Sequence, residues 1–291
     1  MKLRVPSDFF FKGHGLGNDY FVLKQGRIGF RLTPYAIRLL CDRHKGIGSD
    51  GILLHVKSAK ADAGLRIYNP DGSEAQKSGN GARIFALYLS RYGLPGRKSY
   101  SIETPGGMIR AKLENGLITV DMGRVSFKSK DLPMRGRNRE AVMEKLRIGS
   151  SVVRFTGLSV GNPHAVIFVN SLSRPQALRL GPKIENNPLF PERTNVQFAK
   201  VVSRSRIKAL IWERGAGETL ASGSSACAVA AAARKLGYAR PDVSIEMQGG
   251  TLRISIDPDW NLTMTGPAVE VAAGIISNDL VRRLKSSAQA S

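Results

Sequence analysis

The chain has 291 residues, 42% of them hydrophobic, and 44 basic against 23 acidic side chains, for a formal charge of +21. That length can bury two medium cores, the composition is that of a globular protein, and no apolar run approaches the roughly 20 residues that a membrane-spanning helix needs. The charge invites nucleic acid as a partner, but the basic residues are dispersed, the densest patch (Lys128 to Arg139) includes Asp131, and no binding motif accompanies it, so a merely basic surface is the preferred reading.

In chain order, Met1 to Pro6 lead through Ser7-Asp8 into a short Phe run without the layout of a signal peptide, which makes a cytoplasmic protein the expectation. A strand is expected at 20–23, a helix at 34–44, strands at 51–56 and 65–68, a helix at 80–91 ended by Gly93, and strands at 108–113 and 117–122. The second half repeats the pattern with strands at 165–169, 196–201 and 207–212, a helix at 224–236 ended by Gly237, strands at 251–256 and 261–264, and a last helix at 278–284. Many strands with few helices point to an α+β fold of two pseudo-repeated domains, each a curved, mostly antiparallel sheet around a central helix. The alanines from Ala226 to Ala233 are read as core, because small residues let a helix sit close to surrounding strands. The two cysteines, Cys41 and Cys227, and the four scattered histidines have no metal-ligand spacing and give no disulfide framework, so no metal is expected.

The repeat extends to single residues. Glu74 to Ala82 reads Glu-x-x-x-Ser-Gly-Asn-Gly-Ala and Glu218 to Ala226 reads Glu-x-x-x-Ser-Gly-Ser-Ser-Ala; 222 minus 78, 223 minus 79, 218 minus 74, 162 minus 18 and 237 minus 93 all give 144. Ile102-Glu103 with Gly106-Gly107 recurs as Ile245-Glu246 with Gly249-Gly250, one position short of that offset. Each Ser-Gly motif opens a helix, and a helix N-terminus leaves backbone N–H groups without internal partners and carries partial positive charge, so it accepts a carboxylate. Two such loops facing one another across a cleft would hold an amino acid with its Cα between the side chains at 78 and 222.

The segments His14-Gly15-Leu16-Gly17-Asn18-Asp19, Asn69-Pro70-Asp71-Gly72-Ser73-Glu74, Gly79-Asn80-Gly81-Ala82-Arg83, Gly161-Asn162-Pro163-His164, Pro191-Glu192-Arg193-Thr194-Asn195 and Glu213-Arg214-Gly215-Ala216-Gly217-Glu218-Thr219 together resemble the diaminopimelate epimerase family. The resemblance runs from about Phe10 to Ala272. It implies a two-domain fold, epimerisation without a cofactor in the lysine and cell-wall precursor pathway, a homodimer, and a C-terminal end that returns to the first domain. The expected domains are 1–124, joined by 266–291, and 125–265. Carried over by position, Asn18, Asn69, Asn162, Asn195, Glu213 and Arg214 would contact the substrate's non-reacting end; Gly79-Asn80 and Gly223-Ser224 would cradle the reacting carboxylate, and His164 would orient or protonate the first base. Arg214 can fork onto a carboxylate, Glu213 can accept from an ammonium, and asparagines do either.

One departure bears on the chemistry. Where the family places two catalytic cysteines, this chain has Ser78 and Ser222. A thiol near a helix N-terminus reaches the thiolate form, whereas a serine hydroxyl is far less acidic and needs an adjacent base. Ser225 and Lys77 also differ from the family's loops, which favours natural divergence over a deliberate exchange of thiol for hydroxyl. A serine before a helix is moreover a good N-cap, and an asparagine taken singly is a turn residue. The favoured function is epimerisation of diaminopimelate or a related amino acid with the serines in the two base positions. The alternatives are an amino-acid-binding paralogue without turnover, a one-sided proton-transfer enzyme such as a dehydratase with His164 and Lys77 as helpers, and a nucleic-acid-binding protein that reuses the fold. A Ser-His hydrolase lacks a third orienting residue and a nucleophile elbow.

Overall fold

The computed structural model describes residues 6–149 and 151–286; Met1 to Val5, on which part of the targeting argument rests, lie outside the described residues. The chain divides into two compact units, Met1–Val120 with Gly266–Ser291, and Asp121–Thr265. No helix among the described residues is long and apolar enough to cross a membrane.

In chain order the elements of the first half are β1 (Phe9–Gly15), β2 (Asn18–Lys24), α1 (Pro34–Cys41), β3 (Ile52–Val56), β4 (Ala63–Tyr68), β5 (Glu74–Ala75), α2 (Gly79–Tyr88) with a π turn at Leu89–Gly93, β6 (Ser99–Thr104), β7 (Gly107–Glu114) and β8 (Leu117–Arg124). Then come β9 (Glu144–Ile148), β10 (Ser151–Ser159), β11 (Pro163–Phe168), α3 (Arg174–Glu185), β12 (Asn195–Ser203), β13 (Arg206–Glu213), β14 (Gly217–Thr219), α4 (Gly223–Lys235), β15 (Asp242–Met247), β16 (Gly250–Ile256) and β17 (Asn261–Gly266). β18 (Val269–Ile275) and α5 (Asn278–Ser286) close the chain.

The two units repeat one another pairing by pairing. In the first, β1–β2 is antiparallel, β2–β3 parallel, β3–β4 and β4–β5 antiparallel, β4–β6 parallel, and β6–β7 and β7–β8 antiparallel. In the second, β10–β11, β11–β12, β12–β13, β13–β14, β13–β15 and β15–β16 with β16–β17 follow the same sequence of directions. Register is kept too: Ile52 lies opposite Tyr68 and Val196 opposite Trp212, so that both partners move by 144. The remaining strand of each set differs in origin. β9 precedes β10 and pairs with it antiparallel, whereas β1 receives β18 from the far end of the chain.

Each unit packs its sheet around a helix that is buried on every side. From Asn80 to Tyr88 every residue of α2 is buried, and in α4 Ala226, Ala228 and Ala230 to Ala233 have no exposed surface, the close approach that small side chains allow. Outer helices complete the cores: Ile37 and Leu40 of α1 pack with Phe21, Ile52, Val281 and Leu284, and Leu180 and Ile184 of α3 with Phe155, Phe190 and Val196.

Several boundaries differ from the sequence reading. The helix expected at 34–44 stops at Cys41, because the Asp42 backbone turns extended and its carboxylate accepts the N–H groups of His44 and Lys45 at 2.8 and 2.7 Å. α2 ends at Tyr88 and loosens into a π turn in which Leu94 N–H donates to Leu89 O at 2.7 Å. Gly237 stands at φ +73° as a left-handed cap, whereas at Gly93 a Cβ would come within 2.7 Å of Leu89 Cδ2, so closeness rather than handedness selects that glycine. The helix α3 carries Gly181 and Pro182 inside it, which hid it from a reading of breakers.

Candidate functional site

Ser78 and Ser222 are the N-caps of α2 and α4. Their backbones are nearly identical, at φ −143°, ψ 121° and φ −139°, ψ 128°. Gly81 N–H donates to Ser78 Oγ at 3.0 Å and Ser225 N–H to Ser222 Oγ at 3.4 Å, three residues on in both cases. Gly79-Asn80 and Gly223-Ser224 therefore occupy the first two helical positions, whose N–H groups a helix cannot satisfy internally. Ser78 is half-buried, with the Tyr20 hydroxyl at 3.4 Å; Ser222 is buried, with the Ser224 hydroxyl at 3.4 Å.

In the first unit a polar relay runs from the fully buried Arg83. Its Nη2 donates to Asn80 Oδ1 at 2.8 Å, Asn80 Nδ2 to Asn18 Oδ1 at 3.1 Å, and Asn18 Nδ2 to Asp50 Oδ2 at 2.9 Å. A guanidinium only donates and a carboxylate only accepts, so the two ends fix the orientation of both amides between them. Arg83 Nε also holds Pro267 O at 3.2 Å. At Gly15 a Cβ would stand 2.9 Å from Arg83 Nη2, which explains the glycine in that turn. Beyond Asp50, Arg43 bridges Asp50 and Asp19 at 2.8 Å to each, and Lys12 reaches Asp19 at 3.1 Å. Burial alone would raise Asp19; its hydrogen bonds from Arg43 and Lys12 and their charges win and hold it below the usual carboxylate range. Asn69 takes no part in this relay. Its Nδ2 donates to Ser73 Oγ at 2.9 Å within the turn that follows β4, which leaves its carbonyl without a protein partner among the described residues.

The second unit gathers Asn162, His164, Asn195, Glu213 and Arg214. Asn195 is buried as a clamp: Nδ2 donates to Pro163 O at 2.8 Å and Oδ1 accepts Arg214 N–H at 3.0 Å. The Arg214 side chain donates to Glu192 O at 3.1 Å. Burial pushes the Glu213 carboxyl up, and the polarity of the Ser222 and Thr219 hydroxyls partly offsets this, although Thr219 Oγ1 has no hydrogen-bond partner among the described residues. His164 has no exposed surface, its Nε2 lies 2.9 Å from Asn162 Oδ1 and its Nδ1 2.9 Å from Gln197 Nε2. Burial presses its pKa down to about 3, the charge of Arg214 adding to the effect, so the ring is neutral at pH 7 and both nitrogens are engaged. Lys77 is exposed at the loop preceding Ser78.

Other residues that build the site escaped the sequence reading. Buried Glu185 accepts Trp212 Nε1–H at 2.7 Å and Gly215 N–H at 2.8 Å and pairs with Arg193 at 3.2 Å, which fixes the turn after Glu213. Gln197 joins His164 to α4 through Ser225 Oγ at 3.0 Å. Asp19 and Arg83 stood inside quoted motifs, which was the available signal; Glu185 and Gln197 lie outside every motif. The repeated acids Glu74 and Glu218 each receive an arginine fork, from Arg66 with Nε at 2.7 Å and from Arg174 at 2.8 Å, although the two arginines are not equivalent by position.

Paired helix N-caps on twice-repeated sheets of this kind define an epimerase-type fold, and the comparisons agree. Residues 10–128 and 156–271 match the profile of diaminopimelate epimerase. A protein named diaminopimelate epimerase 2, from Nostoc sp., is 47% identical over 93% of this chain and 96% of its own, and a diaminopimelate epimerase of Carboxydothermus hydrogenoformans is 43% identical over 91% and 98%. The chain belongs to the diaminopimelate epimerase family, a family of isomerases. A crystal structure of a hydroxyproline epimerase from Agrobacterium vitis shares the fold, with a TM-score of 0.70 at 14% identity over 96% of this chain and 94% of the other.

Proposed function

We propose that the protein binds diaminopimelate or a closely related diamino dicarboxylic acid and exchanges the proton at its Cα, with the Ser78 and Ser222 hydroxyls in the two base positions. The observation that carries this reading is the matched pair of caps, alike in backbone angles and in the N–H group each accepts. Epimerisation requires the two hydroxyls to address opposite faces of one Cα. The surroundings of the serines are unequal: Ser222 is buried close to the carboxyl of Glu213, a local proton acceptor, while Ser78 is half-buried with the Tyr20 hydroxyl at 3.4 Å. In this reading Asn69 presents a carbonyl to an ammonium, Arg214 and Asn162 present donors to a carboxylate, Asn18 and Asn195 hold neighbouring segments, and His164 orients Asn162 rather than supplying a proton. The proposal also includes a cytoplasmic location, from the N-terminal layout, and a homodimer, from the resemblance; the exposed Val269, Val271 and Ile275 on β18 support the homodimer.

A second reading has support as well. Both hydroxyls already accept a backbone N–H, which is what a serine does that only caps a helix, so binding without turnover is the competitor. The test is proton exchange at the substrate Cα in D2O, followed by NMR with LL- and meso-diaminopimelate, for the protein and for Ser78→Cys with Ser222→Cys. The proposal expects exchange by the unmodified protein and faster exchange by the double variant. Exchange by the double variant alone establishes the binding reading, exchange without change of configuration establishes one-sided proton transfer, and absence of both binding and exchange from both proteins overturns the assignment of substrate.

A further inference from the structure

The side chains of Gln197 and Ser225 belong to neither cap chemistry nor the substrate set, yet both residues are buried without exposed surface, on β12 and in the first turn of α4. A polar side chain so placed is costly unless hydrogen-bonded, and these two are joined in a chain that ends at the half-buried Asn162. Ser225 Oγ lies 3.0 Å from Gln197 Nε2, Gln197 Nε2 2.9 Å from His164 Nδ1, and His164 Nε2 2.9 Å from Asn162 Oδ1. Gln197 Oε1 is left without a partner among the described residues.

The direction of the chain follows from which orientation of the Gln197 amide leaves fewer donors unsatisfied. With the nitrogen inward, its two N–H groups donate to His164 Nδ1 and Ser225 Oγ, and one carbonyl oxygen and one donor, the Ser225 hydroxyl proton, go unpaired among the described residues. With the amide turned over, the oxygen would accept from Nδ1–H and from the serine hydroxyl, and two buried N–H donors would go unpaired instead. Orphaned donors are the rarer case in folded proteins. Nitrogen inward makes Nδ1 an acceptor and puts the single ring proton on Nε2. That proton donates to Asn162 Oδ1, so the Asn162 amide must point its NH2 group away from the ring, where no protein acceptor meets it among the described residues.

We propose that Gln197 and Ser225 are positioning residues that lock His164 in its Nε2–H tautomer and thereby make Asn162 a donor, selecting a carboxylate in the ligand it faces. The ligand half of this inference rests on the proposed function; the tautomer half does not.

The test compares Gln197→Met with Gln197→Glu in the full-length protein. Methionine nearly matches glutamine in shape but donates nothing. Glutamate restores a proton on this link in either form it takes there: a neutral carboxyl donates to Nδ1, and a carboxylate draws a second proton onto the ring, so that Nε2–H still faces Asn162. A role in packing alone predicts that Met is the milder change, because a buried acid is the harsher intrusion into a core. The lock predicts the reverse. Proton-detected 15N NMR of the imidazoles, with His164 assigned by its loss in His164→Gln, should show Nε2–H alone in the unmodified protein, mixed tautomers in Gln197→Met, and Nε2–H again in Gln197→Glu. Titration with meso-diaminopimelate should show affinity weakened about tenfold or more by Met, the size of a lost hydrogen bond to a charged group, and rescued by Glu. Ser225→Ala, a gentler change should either Gln197 variant fail to fold, should loosen the tautomer and weaken binding a few-fold.

An Nδ1–H ring in the unmodified protein, or tautomers that ignore Gln197, overturns the inference even where the ligand binds. Affinity lost in Met with the tautomer unchanged assigns Gln197 to packing and overturns it as well. A protein that shows the Nε2–H lock but binds no diaminopimelate overturns the proposed function and the ligand half, and leaves the tautomer relay standing.

Discussion

The helix with Ser78 and the helix with Ser222 sit on the same frame, but the groups beneath them have been exchanged. Where the second unit has His164, Gln197 and Ser225 in a buried polar chain, the first has, 144 positions earlier, Tyr20, Leu53 and Gly81, and the apolar Leu53 is fully buried. Where the first unit has the buried Arg83 at the head of its relay, the second has buried Cys227. Asn18 and Asn162 are equivalent by position and opposite in commitment: both ends of the Asn18 side-chain amide are engaged, whereas among the described residues Asn162 has only its side-chain carbonyl engaged. Duplication preserves what the backbone ladder requires, namely register, strand direction and the cap. The polar interior is free to diverge so long as nearly all of its buried groups keep a partner.

The comparison is tested most severely at its least alike position. Arg83→Met should cost about 3 kcal/mol or more, since it strands Asn80 Oδ1 and the Pro267 carbonyl that the guanidinium holds, while Cys227→Ala at the equivalent place should cost about 1 kcal/mol. Urea unfolding of the two variants measures both, and equal costs would break the claim that the relay belongs to one unit alone.

Acid comes next. Each unit carries one buried neutral histidine, His55 at about 4 and His164 at about 3, both lowered chiefly by burial. Their folded pKa values lie below the unfolded value of 6.5, so the unfolded chain takes up protons first. Their contribution to stability is complete above about pH 6.5 and is lost as pH falls toward 4 and 3, at up to about 1.4 kcal/mol per pH unit for each ring. His55→Phe should reduce the slope of unfolding free energy between pH 6 and 4.5 by about one proton, and an unchanged slope would show that His55 is not buried neutral.

The caps should give smaller and comparable effects. Ser78→Ala and Ser222→Ala are each expected to cost about 1 kcal/mol in urea unfolding. A cost for Ser222 well above that for Ser78 would show that the deeper burial of Ser222 adds to its capping role. Smallest of all are the two surface forks: Glu74→Gln and Glu218→Gln should each change stability by less than about 1 kcal/mol, because the arginines at Arg66 and Arg174 are half-exposed or more.

What was legible in the sequence follows the same division. The caps could be read because Ser-Gly before an apolar helix is a local pattern, and the frame could be read because the repeat recurs at a fixed offset. The strands β1, β5, β6, β9, β10, β14, β15 and β18 escaped: β5 and β14 are only two and three residues long, Phe9-Phe10-Phe11 obscures alternation in β1, and β18 presents Val269, Val271 and Ile275 to the outside rather than a buried face. Among site residues, the asparagines could be named from motifs, but not the direction in which each amide points. Asn195 proves to be a clamp and Asn69 a turn residue with a carbonyl to spare, a difference set by Pro163 and Ser73, which only folding brings near.

By itself the sequence determined the duplicated α+β frame, the family and the serines at both helix caps, because these depend on residue identity and spacing along the chain. Only the tertiary structure decided that Arg83 and Asp50 give a relay its direction, that Gln197 reaches Ser225 and His164, and that Glu185 fixes the turn beside Glu213. Those outcomes depend on which donors and acceptors are buried together, and a buried group takes its role from the partners that the fold supplies.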